Sequence, residues 1–140
     1  MSYYPDLGTK SQIDSGAHIR AVGWLDDKHK YSSGDAPPGL VLKLEQFAAK
    51  WAESVEALGW PVACGTHVCE LCGKFESSGN FGVPAEVLFV CPEMIAHYVA
   101  AHAYLPPQEF VEAVMSAPLP GTPEYVEAVA TFAGAADIWK

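Results

Sequence analysis

Apolar residues recur at intervals of three and four along one stretch of this chain: Leu40, Leu44, Phe47, Trp51, Val55 and Leu58. That spacing puts them on one stripe of a helix, and most of the charged residues between them (Lys43, Glu45, Lys50, Glu53, Glu56) fall off it. Pro37-Pro38-Gly39 marks the start of the helix, and Gly59 stands where a left-handed C-terminal cap belongs. The stripe serves a core and carries no chemistry of its own.

Elsewhere the pattern is shorter. Residues 1–19 read as an extended polar lead-in, Arg20–Leu25 as a short strand, and Asp26–Gly39 as a loop of turn formers. Gly73–Glu76 and Glu86–Cys91 predict two strands of a hairpin, with Ser77–Gly82 as a loose connection. Pro92 closes the second strand and opens a helix over about 93–103, which Pro106 and Pro107 stop. Further on, Glu109-Phe-Val-Glu-Ala-Val114 returns 15 residues later as Glu124-Tyr-Val-Glu-Ala-Val129. Proline and acid at the start of each copy suit a helix N-terminus, Thr122 is a good N-cap, and the pair predicts a C-terminal helical hairpin over about 107–137.

Composition narrows the class. At 140 residues and 50% hydrophobic, the chain is expected to form a single domain over residues 1–140 with a real core. The absence of an apolar run of membrane-spanning length and of a basic, apolar leader at Met1 makes a soluble cytoplasmic protein the expectation. In a reducing compartment, cysteines read as metal ligands or buried thiols before disulfides. The formal net charge is −9, and no lysine or arginine occurs between Phe75 and Trp139. A nucleic-acid partner is therefore not expected, since phosphate recognition rests on basic groups; the acidity reads first as a soluble surface and second as a surface for a basic protein partner.

All four cysteines and three of the five histidines fall between Cys64 and His102. Thiolate and imidazole are the side chains that bind zinc, and Cys69-x-x-Cys72 has knuckle spacing. His97 and His102 lie on the following helix. Five residues turn an ideal helix by about 140°, so both rings reach one ion only if the last turn loosens, which the following prolines favour. These four are the candidate ligands of a Zn²⁺ ion in an enlarged, zinc-finger-like ββα element over about 61–104. His67 is an alternative ligand or a hydrogen-bond partner behind the ligands. Cys64 and Cys91 read first as buried thiols and second as spare ligands. No His-Glu-x-x-His, deaminase signature or phosphate loop occurs.

Several of these pieces taken together resemble a family of small bacterial proteins of unknown function. They are Tyr4-Pro5-Asp6-Leu7, Gly23-Trp24-Leu25-Asp26 with His29 and Gly34, His67-x-Cys69-x-x-Cys72, and His97-Tyr98-Val99-x-x-His102-x-Tyr104 with Pro106-Pro107-x-Glu109-Phe110. The resemblance implies a cytoplasmic bacterial protein and carries no activity. It also draws attention to Asp26 and His29, either as turn residues or as the lining of a cleft beside the metal.

The resulting expectation is an α+β domain: a small β-hairpin, about four helices, and a zinc ion tying hairpin to helix. The function expected is that of a non-enzymatic interaction protein, regulatory or immunity-like, with the acidic C-terminal helices as its surface. The alternative is a small cysteine-dependent enzyme or thiol redox module using the Cys64–Cys72 segment.

Overall fold

A computed structural model describes residues 3–11, 15–60 and 66–132 of the chain. The fold is α+β, with five helices and two small sheets among the described residues. The larger sheet has the order β1-β5-β4, built from Ile19–Ala21 (β1), Asn80–Pro84 (β4) and Leu88–Pro92 (β5). β4 and β5 are antiparallel, while β1 runs parallel to β5 with Ile19 opposite Leu88. A separate ribbon pairs His67–Val68 (β2) with Glu76–Ser77 (β3).

The predicted stripe helix forms in two pieces, α1 (Leu40–Lys50) and α2 (Ala52–Leu58). At the junction the Ser54 N–H returns to the Trp51 carbonyl three residues back, tightening the turn. The Trp51 indole there donates to Glu93 Oε2 at 2.6 Å, an anchor that periodicity does not reveal. Leu40, Leu44 and Phe47 are wholly buried, and Gly59 (φ 65°) ends α2 in the left-handed conformation expected of it.

The hairpin differs from expectation. The strand paired with β5 is Asn80–Pro84, part of the stretch expected to be a connection, whereas the predicted first strand supplies only β3 and pairs with the ribbon. Burial explains the exchange. Every residue of β4 is buried; Asn80 Oδ1 accepts from the Trp60 indole at 2.9 Å, and a Cβ on Gly82 would stand 2.7 Å from the Trp60 ring. Residues that look like turn formers are here small or polar because Trp60 lies against them. The short strand expected over Arg20–Leu25 is likewise shifted to Ile19–Ala21, although Val22, Trp24 and Leu25 remain buried beyond it.

Helix α3 spans Ile95–His102, α4 spans Gln108–Ser116 and α5 spans Pro123–Ala130. The two copies of the repeat are both helices, but α4 packs chiefly on α1 and α5 on α2 and β4. Thr122 caps α5 as expected, its hydroxyl accepting from the Tyr125 N–H at 3.2 Å. Thr122→Ala is expected to cost about 1 kcal/mol in denaturant unfolding, the usual worth of an N-cap.

Candidate metal centre

The knuckle is shaped by its backbone. The Cys69 N–H donates to Phe75 O at 2.8 Å, the Gly73 N–H returns to Cys69 O at 2.7 Å, and Gly73 (φ 67°) takes the left-handed turn that redirects the chain. Cys69 and Cys72 thereby face the same side. Helix α3 presents His97 and His102 to them, and its end is loosened as the spacing required. Ala103 is left-handed (φ 53°), and both its N–H and that of Tyr104 go back to the Tyr98 carbonyl, five and six residues away.

The four donor atoms lie within 4.8 Å of one another. Cys69 Sγ is 3.5 Å from His102 Nε2, Cys72 Sγ is 3.5 Å from His97 Nε2, and the two Nε2 atoms are 3.3 Å apart. Zinc bonds of about 2.3 Å to sulfur and about 2.0 Å to nitrogen, at tetrahedral angles, separate sulfur from nitrogen by about 3.5 Å and the two nitrogens by about 3.3 Å. Three of the six donor separations match those edges, and the other three lie within 4.8 Å. The residues present fit a tetrahedral ion of that size.

Without an ion the same cluster is electrostatically poor. Burial pushes the Cys69 thiol up, against the pull of the Cys72 and Leu71 amides that point at its sulfur. Burial, and then the neighbouring His102, hold His97 below the ordinary imidazole range. The four side chains contact one another in two thiol–imidazole pairs and one imidazole–imidazole pair. A divalent cation replaces those contacts with bonds to all four.

The other candidates are placed apart from this cluster. His67 lies at the start of the ribbon; burial lowers its imidazole, and its Nε2 is buried without a hydrogen-bond partner among the described residues. Cys91 is wholly buried in β5, 3.7 Å from the Phe81 carbonyl, its thiol pushed well up by burial. Cys64 lies outside the described residues. Asp26 and His29 are paired, Nδ1 lying 2.8 and 3.0 Å from the two carboxylate oxygens, and Asp26 Oδ1 also accepts the N–H of Lys28 and of His29. Burial would raise Asp26, but those hydrogen bonds outweigh it and hold its carboxyl low. Asp26 is thus the anchor of a turn, and the His29 ring stacks on Tyr3 at 3.8 Å.

Several supporting residues were not singled out by spacing. Phe75 lies flat on the His97 ring, with centroids 4.4 Å apart and planes 8° apart. Tyr31 Oη donates to the His102 carbonyl at 2.9 Å, and the Gly34 N–H donates to Ala103 O at 3.0 Å, so the Asp26–Gly39 loop clamps the end of α3. Asp6 accepts from Tyr104 Oη at 2.7 Å and from the Gly23 N–H at 3.0 Å, joining the first strand region to the same helix end. An aromatic residue just past a knuckle is the one signal that could have pointed to Phe75.

These features define an α+β domain with a two-thiol, two-imidazole cluster able to hold a metal ion. The chain belongs to the family described as Domain of unknown function (DUF7919), whose profile matches residues 2–115. No curated protein and no solved structure matches it. The matched segment takes in all four cluster residues and the Asp6–Tyr104 tie, and ends inside α4.

Proposed function

We propose that this chain is a non-enzymatic binding protein whose fold is stapled by one Zn²⁺ ion held by Cys69, Cys72, His97 and His102. The supporting observation is the set of donor separations, 3.3 Å between nitrogens and 3.5 Å from sulfur to nitrogen. Four protein ligands close a tetrahedral site and leave no position for substrate, so the ion is structural. The net charge of −9 makes a basic protein the natural partner, and regulation or neutralisation of that partner is the role that follows.

Elemental analysis of protein purified without chelator tests the metal. About one zinc per chain is expected, lost in both His102→Ala and Cys72→Ser. A protein without metal would turn attention to the thiols. One fast-reacting cysteine in metal-loaded protein would favour the enzyme alternative, and a reversible Cys69–Cys72 disulfide the redox module.

A further inference from the structure

Two sizeable grooves flank the sheet and the ribbon, and their charges differ. One, of about 550 Å³, has Glu86, Glu109 and Glu112 on its walls together with Arg20. That groove supplies its own cation, and the Arg20 guanidinium is further tied to the Ala17 and Ile19 carbonyls. The other, of about 480 Å³, lies between α1, α3 and β3. Its floor is made of small apolar side chains, among them Val41, Ala48 and Ala96, and its walls carry Glu45, Glu76 and the Trp51-bonded Glu93, with no lysine or arginine among the described residues. Metal ligand His97 and the Phe75 ring stacked on it close one side.

We propose that this second groove is the docking site for a segment of a partner protein that carries lysine or arginine beside apolar residues. The inference rests on reading the chain as a binding protein and gives that reading a surface. A long basic side chain matches the groove in both its parts. Its alkyl stem lies along an alanine floor while its charged head reaches the carboxylates at the wall. Phe75, 40% exposed, offers a ring face for a guanidinium. The apolar surface also continues past the groove. Leu42 is 63% exposed, one turn before Glu45 on α1, and Val68 is 46% exposed on the ribbon. A small free amine would leave that surface uncovered; a peptide segment covers it. Of the acidic C-terminal helices expected from sequence to be the binding surface, α4 has Glu109 and Glu112 in a groove shared with Arg20.

The test is selection of a displayed library of random short peptides on zinc-loaded protein, with zinc content measured in every sample. Enriched peptides are expected to combine basic and apolar residues. Their affinity should fall about tenfold or more in Glu45→Gln/Glu76→Gln, as loss of two complementary charges requires, and also in the groove-filling Ala48→Trp. It should hold in Glu109→Gln/Glu112→Gln. Peptides bound equally by all variants, no enrichment over the Glu45→Gln/Glu76→Gln protein, or spermine competing as well as the best peptide would overturn the proposal. Selected peptides that depend on Glu45 and Glu76 in a protein lacking zinc would leave the groove standing and remove the metal.

Discussion

Removing the metal is expected to lower the thermal midpoint by more than about 10 °C and to melt the ribbon before the sheet. A ligand present a thousandfold above its dissociation constant stabilises the folded state by about 4 kcal/mol, and a domain of this size shifts by roughly 3 °C per kcal/mol. The loss should be uneven. β2 and β3 are two residues each, and Val68 of β2 and Phe75 just before β3 are half exposed. Little apolar burial holds the ribbon, so bonds from the proposed ion to Cys69 and Cys72 would supply its folding free energy. The main sheet keeps Ile19, Val83, Leu88 and Val90 wholly buried without help from the site. Calorimetry with and without chelator measures the shift, and hydrogen exchange at Cys69 and Gly73 locates it. Uniform exchange across ribbon and sheet would show that the ion is not a local staple.

Acid should act in the same direction. His97 is held below its ordinary pKa, so the unfolded chain binds a proton that the folded chain resists. Stability is then lost as pH falls through the unfolded value near 6.5, and metal release adds to it because both rings must be neutral to bind. Cys69 acts at the other end in metal-free protein. Its raised thiol favours the fold below about pH 9 and loses that advantage as pH rises through the folded value.

The clustering of Cys69, Cys72, His97 and His102 was legible because ligand chemistry is local. A thiol pair at knuckle spacing and two imidazoles near a proline-stopped helix end leave few arrangements, and even the loosened turn at Ala103 follows from the five-residue step. What the sequence hid is long-range. Asn80–Pro84 becomes a core strand only because Trp60 and the Tyr125 hydroxyl, 2.6 Å from the Gly82 carbonyl, meet it from elsewhere in the chain. The repeat illustrates the same limit. Phe110 and Tyr125 hold equivalent positions in near-identical helices, yet Phe110 sets its edge against Phe89 while Tyr125 packs on Phe47 and bonds the Gly82 carbonyl. Local grammar predicts the helix; only the partner decides what the ring does.

Gly23→Ala is expected to destabilise the protein by roughly 2–5 kcal/mol, and to weaken metal binding as well. Two costs combine there. Gly23 has φ +82°, a conformation that burdens any residue with a Cβ, and that Cβ would stand 2.6 Å from Ile95 Cδ1 and 2.9 Å from Cγ1. Ile95 is wholly buried in the first turn of α3, so its side chain has nowhere to retreat. Relief must come from moving the helix that carries His97 and His102, and a shift of that kind opens a cluster whose donors stand at tetrahedral separations. The Gly23 N–H is also fixed to Asp6, whose other oxygen holds Tyr104 just past His102, so the strand region and the helix end are constrained together. Gly59→Ala is the matched control. Gly59 has φ +65° but a Cβ there meets nothing within 4 Å among the described residues, so the conformational cost of about 1 kcal/mol is what remains. Denaturant unfolding of both variants, with zinc affinity measured by chelator competition, separates strain from clash. A larger loss at Gly23 with weakened zinc binding would tie this close contact to the metal centre; equal losses and unchanged affinity would mean that α3 does not depend on it.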